Sequence, residues 1–211
     1  MVPPPVLRSG RVTFGCFNVL QKITGKTFGI WSRILLQTPG SHLLLKSLGF
    51  REPSVQLRTR DLLAEAGVPQ ERVELIGWVP TLAEHLATYG RVDIALDTYP
   101  YHGTTTTCEA LWMGVPVVTL AGRTHASRVG VSLLTNAGLP ELIANTAEQY
   151  VEIAARLAAD IPRLTELRAS LRVRMAASPL MDAPRFARNV EQAYRQMWRA
   201  WCAQQCSNPT S

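Results

Sequence analysis

VDIALDTYPYHGTTTTCEALWMGVPVVTL, residues 92–120, reads as strand, loop, helix and strand in one unbroken run. Val92–Leu96 is short and apolar, as a strand covered on both faces should be. Asp97–Gly103 is a loop marked by Pro100 and Gly103. Thr104–Met113 is expected to be helical, with Gly114 as its stop, and Val115–Leu120 is again a short apolar strand. A strand–helix–strand run of this length places two parallel strands in one sheet.

The same alternation extends in both directions. Arg11–Phe17, His42–Lys46 and Arg72–Gly77 are expected strands. Between them lie helical stretches at Lys26–Gln37, at Ser54–Ala66 (ended by Gly67) and at Leu82–Tyr89. Downstream come a helix at Ala126–Ala137 and a last short strand at Glu141–Ala144. This pattern predicts the α/β class, a Rossmann-like parallel sheet with helices on both faces. From Ala147 the chain is expected to be helical, over Ala147–Asp160, Pro162–Ala176 and Pro184–Cys202. Phe186, Val190, Ala193, Tyr194, Met197 and Trp201 form one apolar stripe on the last of these. The organisation is therefore a proline-rich lead-in (1–10), the α/β core (11–145), C-terminal helices of the same domain (146–203) and a polar tail (204–211).

Composition narrows the function. The chain has 211 residues, enough for one substantial domain, and its 46% hydrophobic and 18% charged content excludes a disordered protein. No apolar run approaches the roughly 20 residues that span a bilayer, and MVPPPVLR lacks the apolar segment of a secretory signal. A cytoplasmic protein with no membrane partner is expected. Cys16, Cys108, Cys202 and Cys206 form no disulfide framework, and no histidine near the last two completes a zinc set. The net charge of +6 gathers late, at Arg163, Arg168, Arg172, Arg174, Arg185, Arg188, Arg195 and Arg199. Without a nucleic-acid motif these read as solvated helix faces, partly packed on a missing domain, so no nucleic-acid partner is expected. The five tryptophans (Trp31, Trp78, Trp112, Trp198, Trp201) are expected in the core.

The chemistry concentrates where strand Val92–Leu96 ends. Parallel sheets bind ligands at the carboxyl ends of their strands, and a helix start offers free N–H groups to a diphosphate. Thr104, Thr105 and Thr106 add hydroxyl donors there, and Glu109, one turn in, can accept from ribose hydroxyls. Threonine also caps helices, and an acid in a first turn complements the dipole, so the residues alone leave both readings open.

Asp97–Gly114, VPVVTLAG at Val115–Gly122, ASRVG at Ala126–Gly130 and ELIA at Glu141–Ala144 resemble the catalytic region of O-linked N-acetylglucosamine transferases. The bacterial members that carry tetratricopeptide repeats are the most similar. FGCFN at Phe14–Asn18 with Lys22 nearby, SPL at Ser178–Leu180 and AYRQMW at Ala193–Trp198 extend the resemblance over nearly the whole chain. It implies the two-lobed GT-B architecture, of which this chain matches the C-terminal, nucleotide-sugar-binding half. The N-terminal catalytic lobe and the repeats have no counterpart here. The implied reaction is inverting, metal-independent and cofactor-free, with UDP-N-acetylglucosamine as donor and a protein serine or threonine as acceptor.

The roles follow from the resemblance. Lys22 matches the lysine on the donor diphosphate, the implied catalytic residue. His85 matches a histidine that packs on the base, Thr104, Thr105 and Thr106 the diphosphate-binding helix start, and Glu109 the ribose-binding acid. Asn18, in FGCFN, and His102, in the loop before the threonines, are further candidate substrate contacts, with loop capping an equal alternative for His102. His125 reads as structural. The animal enzymes have histidine at the position of Thr104 and aspartate at that of Glu109, which leaves base and sugar preference open; they have lysine at the position of Leu82, so one charge contact with the donor is expected to be missing here. A GDP-fucose-type relative and a non-catalytic nucleotide-binding module are the alternatives.

Overall fold

The structure is a computed structural model that describes residues 3–207, with side chains to residue 204. The thiol of Cys206 and residues 1, 2 and 208–211 lie outside the described residues. Six strands, β1 (Thr13–Cys16), β2 (His42–Lys46), β3 (Val73–Ile76), β4 (Ile94–Leu96), β5 (Val117–Leu120) and β6 (Ile143–Ala144), form one sheet in the order β3-β2-β1-β4-β5-β6. Every neighbouring pair is parallel, with Thr13 beside His42, Leu43 beside Val73, Phe14 beside Ile94, Ala95 beside Val117 and Thr119 beside Ile143. Leu43, Leu44, Leu45, Val117, Val118 and Leu120 are all buried, as strands covered on both faces require. The expected α/β architecture is thus the observed one.

Nine helices surround or follow the sheet among the described residues: α1 (Val6–Ser9), α2 (Gly25–Gln37), α3 (Pro53–Glu65), α4 (Leu82–Thr88), α5 (Thr105–Trp112), α6 (Val129–Asn136), α7 (Ala147–Ala159), α8 (Ile161–Ala177) and α9 (Ala183–Ser207). Helix α2 packs on α3 and α7, and α5 on α6 and α8. Local chemistry sets their limits. Thr24 caps α2, accepting from the Thr27 N–H at 3.2 Å, and Thr81 and Glu84 close a capping box on α4. After α5, Gly114 takes φ 80°, a conformation that side chains with a Cβ rarely adopt.

The proline-rich lead-in contains α1, and it is docked: the Val6 N–H donates to Asp93 Oδ1 at 3.0 Å while Asp93 Oδ2 accepts from Thr13 at 2.9 Å. Three expectations change. The expected helix Ala126–Ala137 breaks at Arg128, because the Ala126 and Ser127 carbonyls accept from His102 and Gly122, outside any helix. Helix α9 runs to Ser207, past the expected end at Cys202. Of the tryptophans only Trp31 is a core residue; Trp78, Trp198 and Trp201 are 59%, 63% and 52% exposed, and Trp112 is exposed as well. Trp78 lies in the open segment between β3 and α4. Trp198 and Trp201 ride on α9, which meets the body chiefly at the turn Pro179–Met181.

Trp31 opens a buried chain that fixes the loop after β4. Its indole N–H donates to the Tyr150 hydroxyl (3.4 Å), which donates to the Asp97 carbonyl (2.9 Å). The Thr27 hydroxyl holds the next turn through the Tyr99 carbonyl at 2.7 Å. Helices α2 and α7 therefore set the position of residues 97–103.

Candidate functional site

Because all six strands are parallel, their carboxyl ends share one edge, and the candidate residues arrive there from β1, β2, β4 and the helices α4 and α5. The segment after β1 carries Asn18 and Lys22. Asn18 is buried, and its Oδ1 accepts from the Thr106 hydroxyl at 2.7 Å. Lys22 Nζ donates to the His102 carbonyl at 2.9 Å and sits 4.2 Å from the centre of the Tyr101 ring, a cation–π contact. Partial burial lowers its pKa, opposed by the charge of Asp97.

Gly103 is required at the loop's end by close approach. A Cβ there would lie 2.5 Å from Thr106 Oγ1 and 2.9 Å from Asn18 Oδ1. Helix α5 starts immediately after, and its first bond runs from the Cys108 N–H to the Thr104 carbonyl. The N–H groups of Thr105, Thr106 and Thr107 therefore have no protein acceptor among the described residues. Thr104 does not cap the helix with its side chain, and Thr104 and Thr105 are exposed. Four threonines thus divide: Thr106 and Thr107 bond to Asn18 Oδ1 and the Gly103 carbonyl, while the first two hydroxyls remain open to a ligand.

His102 requires a correction. Its side chain is fully buried, its Nδ1 accepts from the Gly130 N–H (3.0 Å), and its Nε2 donates to the Leu120 carbonyl (2.9 Å). With both ring nitrogens committed, the imidazole cannot contact a substrate; only its carbonyl faces the site, under Lys22. Beside it Asp97 accepts from the Gly103 and Thr98 N–H groups and the Thr119 hydroxyl at 2.8, 2.9 and 2.7 Å. Burial pushes this carboxyl up, and the three donors oppose that rise. His125, read as structural, is exposed, and together with Thr104, Arg128 and Ser132 it lines an open cleft beside α6.

The other end of the site joins His85 to Glu109. His85 Nε2 lies 2.8 Å from Glu109 Oε2, and the Tyr89 hydroxyl donates to the same oxygen at 3.1 Å. Burial and the Glu109 charge push the Tyr89 phenol up, which keeps it a donor. On the opposite side of the imidazole, Lys46 Nζ lies 2.7 Å from Nδ1. Lys46, Tyr89, Tyr101 and Asp97 were not anticipated as site residues. Lys46 carried a readable signal: a charge closing the apolar strand HLLLK, on the edge where such sheets bind ligands. Among the described residues no group of three or more His, Cys, Asp or Glu side chains could hold a metal ion.

The family model of glycosyl transferase family 41 matches residues 6–190. The chain belongs to glycosyltransferase family 41. The family 41 domain is 48% identical over 200 residues to a probable UDP-N-acetylglucosamine–peptide N-acetylglucosaminyltransferase of Petunia hybrida, SPINDLY, covering 95% of this chain but 22% of that protein. Its identity to the protein of the same description named SEC in Arabidopsis thaliana is 34%, over 94% of this chain and 20% of the relative. The family 41 domain thus spans about a fifth of the curated relatives it matches. Among solved structures, an O-GlcNAc transferase mutant of Thermobaculum terrenum superposes with a TM-score of 0.85 at 44% identity, over 92% of this chain and 37% of that one. A sucrose-phosphate synthase of Thermosynechococcus elongatus, 19% identical, shares the fold with a TM-score of 0.60, over 95% of this chain and 50% of that one.

Proposed function

We propose that this family 41 domain holds the donor, UDP-N-acetylglucosamine, for a cytoplasmic protein O-GlcNAc transferase, and that Lys22 is its catalytic cation. The observation that carries this reading is the row of uncommitted groups on one edge. The open hydroxyls of Thr104 and Thr105, three free N–H groups at the start of α5 and the Lys22 ammonium suit a diphosphate, and the Glu109 carboxylate beside His85 suits a nucleoside. The names of the relatives support the donor and the acceptor, a peptide hydroxyl.

In this reading the serine or threonine oxygen attacks the anomeric carbon as the bond to the diphosphate oxygen breaks, inverting the carbon in one displacement. Lys22 and the α5 start meet the charge that develops on the leaving oxygen, the task a metal ion performs elsewhere. No residue of this chain is assigned as general base. An N-terminal lobe and tetratricopeptide repeats, absent from these 211 residues, would bind the acceptor and close the cleft.

Isothermal titration of the chain with UDP, GDP and AMP, each with and without EDTA, tests the proposal. UDP binding that exceeds the other two and survives EDTA is expected. Preference for GDP would instead favour a GDP-sugar donor, and binding abolished by EDTA would refute the metal-free site.

A further inference from the structure

Two short gaps flank His85, 2.7 Å to Lys46 Nζ and 2.8 Å to Glu109 Oε2, and each must hold one proton. An ammonium has donors only and a carboxylate acceptors only, so Lys46 Nζ beside Nδ1 and the Glu109 oxygen beside Nε2 both call for a bare Nδ1 and a proton on Nε2.

We propose that Lys46 is the positioning residue for the nucleoside end of the site. Its ammonium holds the His85 ring from the Nδ1 side, with the Nε2–H aimed at Glu109, and the imidazole in turn fixes Glu109 with Oε1 as the oxygen offered to the ribose. This rests on the donor site proposed above. The carboxylate geometry supports it. Oε2 takes both protein donors, His85 and Tyr89; among the described residues none reaches Oε1. Burial lowers the pKa of Lys46, and Glu109, at the far side of the imidazole, opposes that shift. The groups packed around the ring are Lys46 from β2, Glu109 from α5, Tyr89 after α4 and Phe17 after β1, whose ring centre lies 6.1 Å from that of His85. Lys46 is the one cation among them.

The test has a part that needs no nucleotide. Long-range proton–nitrogen correlation of the 15N-labelled chain reads the tautomer of each of its four histidines, with His85 assigned by its loss in H85Q. The native chain is expected to show His85 as Nε2–H with its Nδ1 resonance shifted upfield by the donor it accepts from, K46M the same tautomer, kept by Glu109, with Nδ1 moved downfield for want of that donor, and K46R a return toward the native position. In the second part, K46M should weaken uridine and UDP by the same factor, about 2- to 12-fold for one ordinary hydrogen bond, and K46R should recover most of it. A role confined to stability would move the melting temperature without moving the Nδ1 resonance.

An Nδ1–H tautomer in the native chain overturns the proposal, as does an unchanged Nδ1 resonance with unchanged affinity in K46M. If K46M does not fold, the native and K46R spectra decide. A native chain that binds neither UDP nor GDP refutes the donor site and, with it, the ribose step, while the Nδ1 resonance still decides the Lys46–His85 contact. UDP binding alongside a wrong tautomer refutes Lys46 alone.

Discussion

Replacing Lys22 with methionine should separate diphosphate recognition from nucleoside recognition. The thioether keeps most of the side-chain stem, so the change removes the ammonium and little packing. That ammonium makes one bond to protein, 2.9 Å to the His102 carbonyl, and lies against the half-exposed Tyr101 ring. Its two other N–H donors are available to a phosphate oxygen. A hydrogen bond to a charged group contributes about 1.5–3 kcal/mol. Lys22 is only partly buried, so solvent screening places the loss at the low end, about 1.5–2 kcal/mol. That is a drop of about 10- to 30-fold in UDP affinity. Uridine has no diphosphate and should lose less than about 2-fold, because the contacts around Glu109 and His85 are untouched. The His102 carbonyl can take a water in place of Nζ, so the stability of the fold should change by less than about 0.5 kcal/mol. Paired titrations of native chain and variant with UDP and uridine, in EDTA, give both factors. Equal losses for the two ligands would refute the assignment of Lys22 to the diphosphate.

Glu109→Gln should lower UDP and uridine affinity by one common factor, since the ribose is shared; a change in their ratio would move Glu109 away from the ribose. Gly103→Ala should destabilise the fold by about 1–3 kcal/mol, seen by urea unfolding, and should weaken UDP binding, because the new Cβ meets Thr106 and Asn18; unchanged stability and affinity would show that the helix start tolerates displacement. Tyr150→Phe strands the Trp31 indole N–H and the Asp97 carbonyl, both of which it now satisfies, and should cost about 1–3 kcal/mol in the same assay. Deleting residues 183–211 should change the stability of the core by less than about 1 kcal/mol, because Phe186, Tyr194, Met197 and Trp201 are all more than half exposed on α9; a larger loss would show that α9 folds back on the body.

Strand and helix positions were legible because each element carried one period and one stop. His42–Lys46 was read to the residue, and Gly67, Gly114 and Gly138 all close helices with positive φ. What escaped depends on contacts distant in the chain. Nothing near Val6 announces that Asp93, 87 residues away, receives its N–H. The break at Arg128 arises from two loops that take the carbonyls of Ala126 and Ser127. Trp198 and Trp201 carry the composition of a core on a helix that packs little against this domain, and hydrophobicity states only that a surface would gain from being covered.

The site shows the same limit at finer scale, within a single motif. In DTYPYHGTTTTCE, polar residues that look interchangeable have opposite duties, decided by which side of the loop they face. Asp97, His102 and Thr107 point into the protein, where an unpaired polar group costs about 1–3 kcal/mol, so each is driven to a partner. They find Gly103, Thr119, Leu120 and Gly130. Thr104 and Thr105 face outward, where water supplies their bonds until something else does, and that lack of commitment is what a binding group requires. Glu109 is both at once, with Oε2 held by His85 and Tyr89 and Oε1 left open. Residue type supplied the inventory of donors and acceptors, but only the fold distributes them between holding the loop and meeting a ligand. The same chemistry makes His102, Thr104 and Thr105 candidates, and of the two readings open for His102 the fold takes loop capping: a polar side chain at the carboxyl edge of a parallel sheet serves a ligand only if the protein beneath has not already claimed it.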